Sequence, residues 1–298
     1  MKNTLTKLSL LFLLFVLCKP TAYTQITDTA TIWTITTMDG NEYFGTIVTE
    51  DSIEVQLKTK TLGVINIPVR QIVHKEKIDK KNLVLGEFWF ENPQATRYFW
   101  GPNGYGLKKG EAYFQNIWIL ANQASYGFTD HFTLGLGTVP VFLFGVSPEY
   151  SPFWITPKVS IPVVSDQLNL GFGAFLGGIS SEGYGGLLYG SITGGSRDNN
   201  VSLNVGYGIL DGEWSRGPTL SLSFMKRVSR RTYLLSENYY IGAGTANVGL
   251  ISFGARTVWN KISLDYGLVV PIIEDEPLNL ALPWLGFSIP MGKLRRGN

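Results

Sequence analysis

The sequence holds one cysteine and two histidines in 298 residues. That scarcity excludes disulfide frameworks, most metal clusters and paired redox thiols. An excess of either charge is missing too: 25 Lys+Arg stand against 23 Asp+Glu, a net charge of +2. No strongly acidic or basic partner follows from that balance, and nucleic acid is not an expected ligand. Charged residues make up 16% of the chain, where soluble domains carry about 25%. Beyond residue 92 no apolar run approaches the roughly 18 residues a membrane-spanning helix requires, and no window shows a helical stripe.

What is present begins with an export signal over residues 1–24. Lys2 and Lys7 give a positive start, and Leu8 to Leu17 form an apolar stretch too short to span a bilayer as a helix. Small residues frame a cleavage site after Ala22-Tyr23-Thr24, leaving Gln25 first. Leu17 before Cys18 and Lys19 after it do not fit a lipidation site. Once cleaved there, the chain is free of cysteine, which suits an oxidising compartment.

Residues 30–80 alternate short strand-like runs with turn dipeptides. Trp33-Thr34-Ile35, Asp39-Gly40, Tyr43 to Val48, Glu50-Asp51, Ile53 to Leu57, Leu62-Gly63 and Val64 to Pro68 follow one another, which predicts four or five strands of a small, strongly bent sheet. The run Asp39-Gly40, Phe44-Gly45, Asp51, Ile53 resembles the first half of Sm-like and SH3-like small barrels. Sm-like proteins bind RNA, but this module follows an export signal and has no counterpart of the RNA-contacting Asn. A periplasmic adaptor with its own partner is the expectation. The charge-dense stretch His74 to Lys81 leads into a linker at 81–92.

From residue 93 to 291 strands dominate. In Val201-Ser202-Leu203-Asn204-Val205-Gly206-Tyr207-Gly208-Ile209 every odd position is large and apolar and every even one small or polar, a two-residue period. Leu168 to Leu176, Thr219 to Phe224 and Ile262 to Leu268 repeat it. Tight turns at Thr129-Asp130, Ser165-Asp166, Ser196 to Asn200, Ser229 to Arg231 and Asn260-Lys261 alternate with longer connections at Gly145 to Pro152, Ile179 to Gly183, Asp211 to Gly217, Gly242 to Ala246 and Glu274 to Pro277. Phe128 and Phe132 flank a tight turn, and Tyr150, Phe153 and Trp154 lie beside a longer loop.

This pattern resembles outer-membrane β-barrel proteins of Gram-negative bacteria, with short periplasmic turns, longer outer loops and aromatic girdles. The resemblance implies an all-β, antiparallel up-and-down transmembrane β-barrel, porin-like and in contact with outer-membrane lipid and the barrel assembly machinery. Eleven strands are readable from Glu111 to Met291, and Gln94 to Trp100 supplies an outward first crossing, giving twelve; ten is the alternative. Chains of this kind often end on an aromatic residue, whereas here residues 292–298 form a polar tail after Phe287.

If the apolar parity meets lipid, Lys158, Arg256 and Asp265 face the lumen, with Glu237 placed there less directly because its strand has mixed faces. These charges form either a neutralising network in a narrow barrel or the lining of a small pore or polar site. Gly171, Gly173, Gly206, Gly208, Gly254 and Gly267 share that parity. On this assignment Leu203→Arg blocks membrane assembly and Asn204→Arg is tolerated.

Chemistry is thin. His131 sits at a turn beside Asp130 and His74 in the charged stretch, neither with a nucleophile at a fixed spacing. Gly101 to Lys108 lacks the Gly-Lys-Ser/Thr ending of a phosphate loop and reads as a turn, and Glu274-Asp275-Glu276 reads as a solvated loop. No cofactor and no metal is expected. The leading function is a structural or narrow-channel barrel with an unidentified substrate. The alternatives are an outer-membrane enzyme acting on lipid or envelope polymer, and a secreted soluble barrel binding a small apolar ligand, which needs the opposite parity.

Overall fold

The computed structural model describes residues 31–78, 83–84, 87–89, 91–144, 150–179, 183–242, 247–259, 262–273 and 280–292. The expected signal at 1–24, residues 81–82, 85–86 and 90 of the linker expected at 81–92, the acids Glu274 to Glu276 and the tail beyond Gly292 lie outside them. The chain divides into two compact units, with the division between Trp89 and Phe90.

In the first unit β1 (Ile32–Thr37), β2 (Glu42–Glu50), β3 (Glu54–Thr59), β4 (Gly63–Pro68) and β5 (Ile72–Lys77) form one antiparallel sheet in the order β4-β3-β2-β1-β5. Alternate residues Ile35, Val55, Leu57 and Ile67 turn to one side and make its core. Bulges between Ile47 and Thr49 and between Thr36 and Thr37 bend it. At the β2–β3 turn the Asp51 carboxylate accepts the amide hydrogens of Glu54 at 2.8 Å and Ile53 at 2.7 Å. Those backbone donors hold its pKa below the ordinary aspartate value. Two short strands, β6 (Leu83–Val84) and β7 (Glu87–Phe88), pair with each other.

The second unit is a barrel. Its wall strands are β8 (Glu111–Ile117), β9 (Ala121–Gly127), β10 (Phe132–Thr138), β11 (Phe153–Val164), β12 (Leu168–Ile179), β13 (Gly183–Gly195) and β14 (Asn199–Leu210). After the two-residue strand β15 (Glu213–Trp214) come β16 (Thr219–Arg227), β17 (Thr232–Gly242), β18 (Asn247–Val258), β19 (Ser263–Ile273) and β20 (Leu282–Gly292). Each wall strand pairs antiparallel with its neighbours in sequence, and β20 pairs with β8, so twelve strands close the ring. A short helix, α1 (Pro140–Phe144), lies between β10 and β11.

The number twelve agrees with the sequence reading, but one strand is assigned differently. Glu111 to Gly127 is not one strand but a hairpin, turning at Trp118 and Ile119 with φ of 51° and 65°. Left-handed backbone at such a turn normally calls for Gly or Asn, so no turn residue marks it in the sequence. Gln94 to Trp100 is therefore not needed as a wall strand, and it is not one.

One rim carries the connections 128–131, 165–167, 196–198, 228–231 and 259–262, together with both wall ends, Glu111 and Gly292. At the far rim the wall strands are separated in sequence by the longer 139–152, 211–218 and 274–281, but also by only three residues at 118–120 and 180–182 and four at 243–246. The alternation of short and long is thus only partial.

Burial along the wall is inverted relative to a water-soluble barrel. On β14, Val201, Leu203, Val205 and Tyr207 are 44–52% exposed, while Ser202 and Asn204 between them are 0% and 7% exposed. The same holds around the ring. Leu136, Phe172, Leu188, Ile192, Leu222, Phe253, Leu268 and Leu285 point out, and Ser125, Thr133, Ser160, Thr193, Ser221, Ser252 and Ser288 are buried inside. Aromatic pairs sit at both rims: Tyr126 with Phe128 at 5.0 Å on the short rim, Phe153 with Tyr184 at 6.0 Å on the far one.

Candidate functional site: the barrel interior and its internal segment

Residues 91–110 are folded inside the ring. Their sequence explains why they make no strand. Pro93, Pro102 and Gly101-Pro102-Asn103-Gly104 break any ladder, and Arg97 shares a strand parity with Ala95 and Phe99. Instead the segment doubles back on itself. The Tyr98 amide donates to the Gly101 carbonyl at 3.0 Å, and Asn103 Nδ2 to the Ala95 carbonyl at 2.7 Å.

The segment is tied to strands on every side. Gln115 of β8 donates to the Phe99 carbonyl at 2.8 Å. Thr133 of β10 accepts the Leu107 amide at 3.1 Å, and Thr193 of β13 the Gly104 amide at 2.6 Å. The Tyr98 hydroxyl donates to Asn200 Oδ1 and also lies 2.7 Å from Ser202 Oγ, both on β14. Tyr98 and Phe99 pack with Met225, Tyr233, Leu235, Val258 and Trp284 in one buried apolar cluster. Each bond to a carbonyl or amide of the segment replaces one that water would otherwise supply.

The four charged residues singled out from parity are all buried, and all contact this segment. Asp265 accepts Arg97 Nη1 at 2.8 Å and holds Arg256 in two bonds, Nε at 2.5 Å and Nη2 at 2.9 Å. Arg256 in turn donates to the carbonyls of Gln94 at 2.9 Å and Tyr98 at 2.5 Å. Arg97 reaches across to Ser288 Oγ at 2.8 Å and stacks over Tyr113. Glu237 accepts the amides of Trp100 at 3.0 Å and Gly101 at 2.9 Å, and the Tyr239 hydroxyl at 2.7 Å. Lys158 donates to the carbonyls of Thr96, at 3.3 Å, and Tyr105.

Two cations share one carboxylate in this triad. Removing Asp265 leaves two buried cations without compensation, whereas removing either arginine still leaves an ion pair. The network therefore ties the segment to the wall, as well as one wall strand to the next.

Sequence reasoning missed Arg97, Tyr98 and Asn103, because a non-periodic segment gives no parity. The signals available were the proline and glycine density and an arginine amid apolar residues. Asn204→Arg also needs correcting: Asn204 Nδ2 donates to Ser221 Oγ at 2.7 Å and to the Pro102 carbonyl at 3.3 Å. An arginine there meets the internal segment rather than open water, so a loss of stability is the expected outcome.

Close backbone approach decides the role of two glycines. A Cβ on Gly104 would lie 2.6 Å from the Asn169 carbonyl oxygen, and one on Gly171 would lie 2.4 Å from Ser191 Oγ and 3.3 Å from Gly104 Cα. Gly104→Ala should push the segment off β12 and cost about 1–3 kcal/mol, as overpacking does. Faster protease cleavage within residues 91–110 in the folded barrel measures it; unchanged protection would show that the contact yields.

Gly101 to Lys108 is part of the internal segment. His131 Nδ1 lies 3.0 Å from the Ser160 carbonyl at the short rim, and His74 pairs with Glu76.

No protein-family model and no curated protein matches the chain. Among solved structures, a KdgM porin in complex with disordered oligogalacturonate aligns with 60% of this chain and 97% of its own, at 11% identity and a TM-score of 0.44. OmpTdeltaL8, a loop L8 deletion mutant of OmpT, an outer membrane protein of Vibrio cholerae, aligns with 88% of this chain and 97% of its own, at 10% identity and a TM-score of 0.37. The chain is similar to outer-membrane β-barrel proteins.

Proposed function

We propose that the chain is an outer-membrane β-barrel protein whose lumen is closed at rest by its own residues 91–110, with the five-stranded module in the periplasm. The observation that carries this is the inverted burial: a continuous apolar belt faces outward and serines, threonines, amides and charges face in. Soluble monomers rarely expose apolar patches beyond a few hundred Å², whereas a barrel in lipid requires such a belt. A soluble barrel holding an apolar ligand needs the reverse parity. Both wall ends lie on the rim of short turns, the arrangement of barrels whose termini stay in the periplasm.

On this reading the barrel serves as a closed or narrowly gated element rather than an open pore. Its partners are outer-membrane lipid, the barrel assembly machinery and a periplasmic partner of the small module. Expression with the native leader in a Gram-negative host, followed by envelope fractionation, tests it. Heat-modifiable migration in the outer-membrane fraction is the expected result; a soluble periplasmic product overturns it.

A further inference from the structure

The internal segment is anchored at Arg197, Gly195 and Asn200 near the 196–198 turn. Its apex, Trp100 to Pro102, lines a cavity of about 260 Å³ together with Lys158, Phe175 and Asn204 of the wall. That volume is at the small end for ligand sites.

Three features of the lining point to one kind of ligand. The first is an aromatic wall: Trp100 meets Phe175 edge-on at 5.5 Å, with Trp154 behind them at 6.1 Å from Trp100. The second is Lys158, 7% exposed, which lines the cavity and has only two carbonyls as hydrogen-bond partners. Among the described residues no carboxylate lies within 4.0 Å of it, since Asp265 is taken by Arg97 and Arg256 and Glu237 by the apex amides. A buried ammonium held by carbonyls alone keeps its charge uncompensated, which an anion in the cavity would correct. The third is Asn204, whose Nδ2 is engaged but whose buried Oδ1 has no hydrogen-bond partner.

We infer that this cavity binds a small carboxylate with an apolar body. The carboxylate pairs with Lys158, the body packs on Trp100 and Phe175, and a hydroxyl or amide hydrogen on the ligand satisfies Asn204 Oδ1. The inference rests on the barrel and its internal segment as proposed above, with the far rim facing outward.

The test uses the full chain in detergent micelles, with 4-hydroxybenzoate and hexanoate each titrated beside its neutral amide by calorimetry and tryptophan fluorescence. At least one acid should bind about tenfold more tightly than its amide, the ratio expected of one charge-assisted contact. Lys158→Met should level that pair and Lys158→Arg should keep the preference. Where Lys158→Met fails to fold, Asn204→Asp decides: a carboxylate at the site should weaken the acid about tenfold and leave its amide nearly unchanged. Equal binding of acid and amide, or no binding of either pair, overturns the inference. Heat-modifiable migration of the same samples separates the two readings, because its loss in the unaltered chain sinks the barrel itself.

Discussion

Asp265→Asn is expected to unseat the internal segment and to open a conductance that the unaltered chain lacks. Among the described residues Asp265 is the sole carboxylate bonded to both Arg97 and Arg256, which are 2% and 0% exposed. An amide there keeps one acceptor oxygen but turns a donor toward a guanidinium and leaves two buried cations facing each other. Breaking a buried ion pair from one side costs about 3–5 kcal/mol. The segment has the easier escape, since Arg256 sits on a wall strand paired on both sides whereas Arg97 sits on a chain without a ladder. Single-channel recording in planar bilayers reads the opening, and the urea midpoint of the refolded barrel reads the loss of stability. Asp265→Glu, which keeps the charge, should stay closed. If Asp265→Asn is as silent and as stable as the unaltered chain, the triad does not hold the segment.

Leu203→Arg is expected to abolish assembly into the membrane. Leu203 is 47% exposed in the middle of β14 and pairs with Ile192 and Leu222, themselves outward-facing. An arginine at mid-depth on the lipid face costs about 2–4 kcal/mol. Leu203→Phe, which keeps the face apolar, should assemble normally. The readout is the fraction of protein resisting urea extraction from outer membranes. Normal assembly of Leu203→Arg would place this face away from lipid and reverse the inside and outside of the barrel.

The wall was legible in the sequence because two-residue alternation is strict where one face meets lipid and the other the interior. Val201 to Ile209 shows it without a fault, and from it Lys158, Arg256 and Asp265 could be turned inward. Glu237 was harder, since Leu234 and Leu235 put apolar residues on both faces of β17, yet it too is buried. The hairpin at Trp118 was not legible, because its left-handed residues are bulky and apolar. With that hairpin counted as one strand, an even number requires a further crossing, which is why residues 94–100 read as a wall strand. Pro93 and Pro102, together with an arginine of the same parity as Phe99, already argued against it. What the four charges bind could not be read, since their partners are mostly backbone carbonyls and amides of a segment without period.

The central claim, a membrane barrel closed by residues 91–110, is tested most directly by recording the full chain and Asp265→Asn side by side in planar bilayers at equal protein density. The account expects no steady conductance from the full chain and a stable pore from the variant. A steady open pore from the full chain, equal to that of the variant, would contradict it.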